Sequence, residues 1–335
     1  MQRAIQLALL GLGNVAPNPM VGCVIVHHDT IIGEGWHKEY GKSHAEVNAI
    51  QSVVNQDLLK ESTVYVSLEP CSHYGKTPPC ADLLIEKQVK KVVVANLDTN
   101  PLVAGKGLEK LKNAGIEVET GVLEKEARIL NKRFFTFMKK RRPYILLKWA
   151  ETSDKFVARK NYDSKWISNS HSRTLVHKWR TEEQSIMVGT NTALYDNPQL
   201  NVRDWSGKNP IRIVIDKSLK IPLNFHLFDQ TQKTICYNLV KDEENHNLAF
   251  VRLDADNFLE NLLQDLFERK VQSVLVEGGS FLIHKLLEKN YWDEARVFIA
   301  SQTFQEGIVA PNLCRKPFHI EDIQGDTLFY YSNFL

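Results

Sequence analysis

The sequence predicts an α/β protein of two domains, and three observations support this prediction. The chain has 335 residues, more than the roughly 150 that are typical of one domain. In both halves, segments with the apolar pattern of strands alternate with segments that have the apolar periodicity of helices. A basic run at residues 139–142 stops at Pro143, as expected where a helix ends. We therefore expect domains at residues 1–142 and 143–335.

The predicted elements follow the same alternation in each domain, and no internal repeat is visible. In the first domain, strands are expected at 21–26, 31–36, 63–67, 89–95 and 116–119, and helices at 3–10, 45–54, 80–87, 106–113 and 123–140. In the second, strands are expected at 144–149, 185–188, 211–216, 274–277 and 295–300, and helices at 172–180, 258–270 and 281–289. The order in the first domain is that of an α/β/α layered structure.

Composition excludes several classes of protein. The chain has 43% hydrophobic and 24% charged residues, as soluble globular proteins do. Its 42 basic and 40 acidic residues do not indicate a nucleic-acid partner. No apolar run approaches the roughly 18 residues of a membrane helix, and the first residues do not resemble a signal peptide. Five cysteines are too few for a disulfide framework. We expect a cytoplasmic protein with a small-molecule partner and no membrane partner, and homo-oligomerisation stays open.

One histidine and two cysteines form a candidate metal site. His44 precedes a predicted helix, Cys71 follows a predicted strand, and Cys80 opens the next helix. These three ligand types suit Zn²⁺ with a fourth position left for water, which is typical of catalytic sites. Bound zinc lowers the pKa of its water to about 7. Glu46, two residues after His44, is a carboxylate that could then move the proton.

Simpler interpretations exist for each of these residues taken alone. Ser43 and Glu46 fit a capping box, in which both side chains satisfy the first backbone groups of a helix. Cys23 lies in an apolar strand and is assigned to the core. The combination of H-x-E with P-C and a second cysteine, however, is typical of zinc-dependent base deaminases.

The first domain resembles the deaminase domain of the bifunctional riboflavin-biosynthesis deaminase/reductases. The resemblance lies in His44-Ala45-Glu46 and in the segment PCSHYGKTPPC at 70–80, where eight residues separate the cysteines instead of the two of other deaminases. The segments APNPMVG at 16–22 and DTNP at 98–101 are similar to that family's substrate loops. The resemblance implies a cytidine-deaminase-like α/β/α domain with Zn²⁺ on His44, Cys71 and Cys80, catalysis by Glu46, and substrate contacts from Asn18, His73 and Lys76.

In the second domain, isolated motifs are ambiguous. Glu277-Gly278-Gly279 leaves a strand and opens a helix, where backbone N–H groups favour a phosphate, but this motif and those near Thr192 and Asp196 also fit ordinary turns. Together, V-G-T-x-T-x-x-x-D-N-P-x-L-x-x-R, Ser164-Lys165-Trp166-Ile167 and E-G-G resemble the family's reductase half, which has a dihydrofolate-reductase-like α/β fold and uses NADPH. The resemblance implies cofactor contacts from Trp166, Thr192, Asp196 and Gly279, and substrate contacts from Ser164, Arg180, Leu200, Arg203 and Glu277.

The activity that this resemblance implies has two steps in riboflavin biosynthesis. The first is zinc-dependent hydrolytic deamination of 2,5-diamino-6-ribosylamino-4(3H)-pyrimidinone 5′-phosphate. The second is NADPH-dependent reduction of the ribosyl side chain to ribityl. Arg180 and Arg203 suit the substrate phosphate because a guanidinium offers paired donors.

Three alternatives stay open from the sequence. Where the family has A-S-L-D-G, this chain has Glu151-Thr152-Ser153-Asp154-Lys155, which puts a carboxylate where a small residue would line the nicotinamide and a lysine in place of a flexible glycine. The first alternative is therefore an active deaminase whose second domain is impaired or does not reduce. The second, a tRNA-type base deaminase, needs a basic surface. The third, a structural zinc site, needs a fourth ligand, for which only His73 or His37 is available.

Overall fold

A computed structural model of the protein describes residues 1–74, 78–99 and 105–334. The chain divides into two compact units, Met1–Arg141 and Arg142–Leu335. Arg142 belongs to the second unit because its guanidinium donates to both carboxylate oxygens of the buried Asp293, at 2.6 and 2.9 Å. Among the described residues, no helix is both long and apolar enough to cross a membrane. The predicted two-part α/β organisation is confirmed.

The first unit is built on a five-stranded sheet in the order β2-β1-β3-β4-β5. Its strands are β1 Gly22–His27, β2 Thr30–Trp36, β3 Thr63–Leu68, β4 Lys91–Asn96 and β5 Glu117–Thr120. Strand β1 is antiparallel to β2 and β3, whereas β3, β4 and β5 are parallel. The helices are α1 Gln2–Leu9, α2 Ala45–Ser52, α3 Cys80–Glu86, α4 Lys106–Asn113, α5 Glu124–Leu130 and α6 Lys132–Lys140, with a 3-10 helix at Gln56–Glu61.

The single helix expected at 123–140 is two helices in the structure. Helices α5 and α6 meet at Asn131, whose backbone leaves the helical conformation with φ −97° and ψ 24°. Its side-chain amide donates to the carbonyl of Met20 and accepts from the amide of the same residue, both at 2.8 Å. Since a buried amide needs such partners, the break anchors the segment that leads into β1.

Close packing of α2 on β2 is possible because β2 contains Gly33 and Gly35. A Cβ atom on Gly35 would lie 2.3 Å from the backbone nitrogen of Ala49 and 2.5 Å from the carbonyl oxygen of Ala45. No side chain fits in that space. These contacts determine how near α2 approaches the sheet, and therefore where the residues at its N-terminus lie.

The second unit is built on a ten-stranded sheet in the order β11-β12-β10-β9-β8-β13-β6-β14-β17-β16. Its elements are β6 Tyr144–Thr152, β7 Phe156–Ala158, α7 Ser170–Glu182, β8 Ser185–Gly189, α8 Thr190–Asp196, β9 Ile211–Ile215, a 3-10 helix at His226–Phe228, β10 Thr234–Asn238, β11 Glu243–Asn245, β12 Leu248–Arg252, α9 Phe258–Glu268, β13 Ser273–Glu277, α10 Ser280–Glu288, β14 Glu294–Ala300, β15 Ile308–Val309, β16 His319–Ile323 and β17 Asp326–Ser332. Strands β6, β8, β9 and β13 are parallel, so their carboxyl ends lie at one edge of the sheet.

Five predicted strands and three predicted helices of this unit are present in the structure, and several elements went unpredicted. Strands β10 and β12 were among them, as was helix α8, which has only seven residues. Strand β16 is almost entirely exposed and polar in pattern. Such segments carry little periodicity, so their pairing depends on neighbours that are distant in the chain.

Gly35→Ala is expected to lower the stability of the first unit by about 1–3 kcal/mol, because the added methyl group must push α2 away from β2. The measurement is the midpoint of urea-induced unfolding. Gly189→Ala is the matched control, since a Cβ there meets its nearest neighbour at an ordinary 3.8 Å. Equal midpoints for Gly35→Ala and the unmodified protein would contradict this account of the packing.

Candidate active sites

The first unit brings His44, Cys71 and Cys80 together, as the sequence predicted. His44 is the N-cap residue of α2, Cys71 follows the carboxyl end of β3, and Cys80 is the first residue of α3. The Nδ1 atom of His44 lies 3.3 Å from Sγ of Cys80 and 3.5 Å from Sγ of Cys71. One ligand atom from each residue lies within 4.8 Å of the other two. This donor set fits a zinc ion with three protein ligands.

The surroundings of Cys71 favour its thiolate form. Its Sγ atom accepts two hydrogen bonds from Cys80, one from the side chain and one from the backbone amide, the latter at 3.3 Å. The hydrogen bond from the Cys80 side chain is the largest cause that lowers the pKa of Cys71, to about 4, and the bond with His44 lowers it further. A thiolate is the form that binds metals.

Glu46 lies in the first turn of α2 and is only 3% exposed. Burial raises the pKa of Glu46 to about 7, and the nearby Cys71 adds to the increase. The capping-box interpretation does not hold, because the N-cap residue is His44 and no side chain caps the helix. Glu46 is therefore a buried carboxyl group beside the ligand set, with a pKa close to neutrality.

The side chain of Asn18 is hydrogen-bonded to His37, which the sequence suggested only as a fourth ligand of a structural zinc site. The Nδ1 atom of His37 lies 3.0 Å from the carbonyl oxygen of Ser43, which can only accept, so Nδ1 donates. The other ring nitrogen lies 3.2 Å from Nδ2 of Asn18 and accepts from it. Because burial lowers the pKa of His37, the ring is neutral and keeps the Asn18 amide in one orientation.

The other two predicted substrate contacts of this unit are less defined. His73 is exposed in the segment after Cys71. Lys76 lies outside the described residues, as do Asn100 and Pro101 of the DTNP motif. Among the residues that the structure describes, neither His37 nor His73 joins the three-residue ligand group, so the fourth ligand of a structural zinc site is not found there.

Glu69 was not singled out from the sequence, yet it shapes this site. It is 4% exposed, and its carboxylate accepts from the backbone amides of Asp98, Gly105 and Gly107 at 3.2, 3.0 and 3.0 Å. These bonds connect the residues on either side of segment 100–104 to Glu69, which lies two residues before Cys71. The only sequence signal for this role is an acidic residue directly after an apolar strand.

The second unit contains a cavity of about 1530 Å³ at the carboxyl ends of its parallel strands. All nine residues predicted to contact cofactor or substrate in this domain line it: Ser164, Trp166, Arg180, Thr192, Asp196, Leu200, Arg203, Glu277 and Gly279. The Ser164 hydroxyl donates to the Asp196 carboxylate at 3.4 Å. The cavity therefore joins the two sets of predicted residues in one site.

Arg180 and Glu277 form a two-fold hydrogen-bonded ion pair in this cavity. Nε and Nη2 of Arg180 donate to the two carboxylate oxygens of Glu277 at 2.7 and 2.9 Å, and Nη1 donates to the carbonyl of Asn201 at 2.8 Å. Burial alone would raise the pKa of Glu277, but the charge and hydrogen bonds of Arg180 lower it below its usual range. Three donor groups of Arg180 are thus already used, whereas the Arg203 side chain is half exposed.

Lys148 and His177 also line the cavity, although neither was predicted as a site residue. Lys148 lies on β6 directly beside Glu277 of β13. Burial is the largest influence on Lys148 and lowers its pKa, while Glu277 raises it and Arg180 lowers it. Burial, then Arg180 and Arg203, lower the pKa of His177 to about 4, so its ring is neutral at neutral pH. The signal for Lys148 is a lone charge inside the apolar strand YILLKWA.

The glycine turn before α10 has the form of an anion site. Gly278 and Gly279 have φ values of +86° and +81°, which L side chains rarely adopt. A Cβ atom on Gly279 would lie 3.3 Å from the hydroxyl oxygen of Thr192. The first backbone N–H groups of α10 have no partner within the helix, and the helix dipole favours negative charge there.

Glu151 does not occupy the place expected for it. Its side chain is 4% exposed, accepts from Nε1 of Trp149 at 2.8 Å and from Nζ of Lys155 at 2.6 Å, and is not among the residues that line the cavity. Lys155 adopts the left-handed conformation, with φ +71°, that a glycine would take. The two departures from the family pattern therefore pair with each other.

Family models match both units of this chain. Residues 1–96 match the cytidine and deoxycytidylate deaminase zinc-binding region, and residues 143–306 match the RibD C-terminal domain. Riboflavin biosynthesis protein RibD of Aquifex aeolicus is 42% identical over 315 residues, which cover 92% of this chain and 88% of that protein. RibD of Escherichia coli is 37% identical over 336 residues, covering 95% and 90%.

A solved structure agrees over both units. The crystal structure of a diaminohydroxyphosphoribosylaminopyrimidine deaminase/5-amino-6-(5-phosphoribosylamino)uracil reductase from Thermotoga maritima matches with a TM-score of 0.89 and 38% identity, over 98% of this chain and 96% of that one. The prediction of a cytidine-deaminase-like domain followed by a dihydrofolate-reductase-like domain is confirmed. With such identity over nearly its whole length, this chain belongs to the RibD family of riboflavin-biosynthesis enzymes, which combine a deaminase with a reductase.

Proposed function

We propose that the first unit deaminates 2,5-diamino-6-ribosylamino-4(3H)-pyrimidinone 5′-phosphate and that the second reduces the ribosyl side chain of the product to ribityl with NADPH. The observation that carries this proposal is the three-residue ligand group with a buried carboxyl group beside it, in one chain with the large cavity of the second unit. The Thermotoga maritima relative carries both activities in its name.

In the deaminase unit, His44, Cys71 and Cys80 would hold the metal. Zinc bound there supplies Lewis-acid activation of water at neutral pH. Glu46 takes one proton from the attacking water and gives it to the ring nitrogen. It then carries the remaining hydroxyl proton to the amino group, which leaves as ammonia, so that a C–N bond is replaced by a C=O bond. A buried carboxyl group with a pKa near 7 is suited to both accept and donate a proton.

Asn18, His73 and Lys76 are proposed to contact the substrate of this unit. Support for Asn18 comes from its hydrogen bond with His37, which turns the Asn18 amide so that Nδ2 faces the histidine. This orientation assigns the carbonyl oxygen of Asn18 to a donor group on the pyrimidinone ring. His37 is thus a positioning residue.

In the reductase unit, NADPH supplies the hydride. The glycine turn at Gly278 and Gly279 would receive a phosphate of the cofactor, with Trp166, Thr192 and Asp196 as further contacts. Ser164, Leu200, Arg203 and Glu277 are proposed to contact the substrate, with Arg203 on its phosphate. Arg180 orients Glu277 through the ion pair.

Lys148 is proposed to supply the proton that accompanies the hydride. Reduction of the opened ribosylamine adds hydride to C1′ and requires a proton on the attached nitrogen. Burial lowers the pKa of Lys148, which makes its ammonium group a stronger acid. The alternative of a second domain that does not reduce has lost its main support, because Glu151 pairs with Trp149 and Lys155.

The remaining properties are proposed from charge and thiol state. The near balance of 42 basic and 40 acidic residues supports a small-molecule substrate rather than a nucleic acid. None of the five cysteines forms a disulfide, which supports a reducing compartment such as the cytoplasm.

Glu46→Gln is expected to lower deamination at least about 100-fold, because it removes the proton-transfer group, and to leave bound zinc and reductase activity unchanged. The measurements are mass spectrometry of the pyrimidinone product and metal analysis of the purified protein. Glu109→Gln, an exposed acid in the same unit, is the control. Full deaminase activity in Glu46→Gln would overturn the assigned role.

Gly279→Ala is expected to weaken NADPH binding about 5- to 30-fold, because an L side chain can avoid the roughly 1–2 kcal/mol cost of the left-handed conformation only if the turn moves away from the cofactor phosphate. Binding is measured by quenching of tryptophan fluorescence. Gly325→Ala is the matched control, because Gly325 has φ +101° with no neighbour within 4 Å and does not line the cavity. It should lower stability and leave NADPH affinity unchanged. Similar losses of affinity in both variants would contradict the phosphate assignment.

Lys148→Met is expected to lower kcat of the reductase step at least about 100-fold with no effect on deamination. In the unmodified enzyme, the active ammonium form is lost as pH rises through a lowered pKa. The alkaline limb of the kcat profile should therefore lie below the ordinary lysine value of 10.5. Lys233→Met changes an exposed lysine of the same unit and should have no effect. A Lys148→Met profile that keeps the alkaline limb would assign that limb to another group.

A further inference from the structure

The first unit contains a second cluster of metal-ligating side chains. His27 is the last residue of β1, His28 follows it in the turn to β2, and Glu61 is the last residue of the 3-10 helix. One ligand atom from each of the three side chains lies within 4.8 Å of the other two. We call these residues the hairpin cluster.

We propose that the hairpin cluster is a second metal site, which binds a divalent transition ion such as Zn²⁺. Two imidazoles and one carboxylate are ligands that Zn²⁺, Ni²⁺ and Cu²⁺ accept, whereas Ca²⁺ and Mg²⁺ prefer oxygen ligands alone. The cluster contains no thiolate, which distinguishes it chemically from the group of His44, Cys71 and Cys80.

The contacts inside the cluster leave ligand atoms available. Nε2 of His28 lies 3.6 Å from Oε2 of Glu61, which is too long for a direct hydrogen bond. Nδ1 of His27 is buried and has no hydrogen-bond partner among the residues that the structure describes. Since buried polar atoms are rarely left without a partner, a cation that binds these rings explains why both histidines stand beside Glu61.

The backbone of the turn brings the two histidines to the same side. Consecutive side chains of a regular strand point to opposite faces. Here His28 and Asp29 adopt left-handed conformations, with φ values of +41° and +60°, between the paired residues His27 and Thr30. As a result, the ring centroids of His27 and His28 are only 4.2 Å apart. Adjacent residues can thus act as two ligands of one ion.

The hairpin cluster is separate from the deaminase site. Strands β1 and β3 are antiparallel, and Val26, next to His27, pairs with Thr63 at the start of β3. Cys71 follows the other end of β3, and six residues of strand span roughly 20 Å. A metal ion on the cluster would therefore join the tip of the β1–β2 hairpin to the 3-10 helix without contacting the deaminase residues.

The test is a titration of the full-length enzyme, first loaded with one equivalent of zinc, with further Zn²⁺. Calorimetry and equilibrium dialysis should detect a second equivalent. His28→Ala and Glu61→Gln should each weaken this second equivalent at least about tenfold, and leave the first equivalent and deamination unchanged. His246→Ala is the matched control, because His246 is also exposed and left-handed, at φ +45°, in another hairpin turn.

The ligand type gives a second readout. Co²⁺ added as the second equivalent should show ligand-field absorption without the thiolate-to-metal charge-transfer band that a cysteine site produces. Glu61→Gln keeps the turn intact, so it tests the cluster even if His28→Ala disturbs the hairpin. Binding of one equivalent only, a second equivalent that survives in both variants, or a thiolate band from the second ion would each overturn the proposal.

Discussion

Both units keep ionisable side chains out of water at the carboxyl ends of parallel strands, and this burial determines how each site is built. Because an isolated buried charge is costly, a buried ionisable group either becomes neutral by gaining or losing a proton or pairs with an opposite charge. In Glu46, burial raises the pKa to about 7, so the carboxyl group holds its proton more readily. Glu277 responds by pairing with Arg180, which keeps its pKa below the usual range. The same physical constraint thus produces a proton carrier in one unit and a fixed charge in the other.

The two sites also depend on close backbone approach. Gly35 lets α2 pack against β2 so that Glu46 and His44 reach the cysteines at the end of β3. Gly278 and Gly279 leave space beside Thr192 and expose the N-terminus of α10. In each case a side chain would fill the space that a ligand, or a helix that carries the ligands, requires. Glycine acts here through the geometry that it permits and not through chemistry of its own.

The segment at residues 151–155 shows how the fold absorbs a change that looks harmful in the sequence. A carboxylate in place of a small residue would disturb a cofactor if it pointed into the cavity. Instead, Glu151 is enclosed and accepts from Trp149 and Lys155. Lys155 adopts the left-handed conformation of the missing glycine and gains an ion pair there. The two substitutions compensate each other because each supplies the partner that the other needs.

Residue type and spacing predicted the two α/β domains and the ligand group of His44, Cys71 and Cys80, whereas the nine residues that line the reductase cavity were predicted from the family resemblance. The three metal ligands stand near predicted strand or helix ends, where local pattern indicates position. Lys148 and the pairing of Arg180 with Glu277 were not predicted. These last two residues are 97 positions apart in the chain, and they meet because β13 lies between β8 and β6 in the sheet. Strand order arises from packing between distant segments. Only the tertiary structure could therefore reveal which ionisable groups share a cavity and which of them hold a proton.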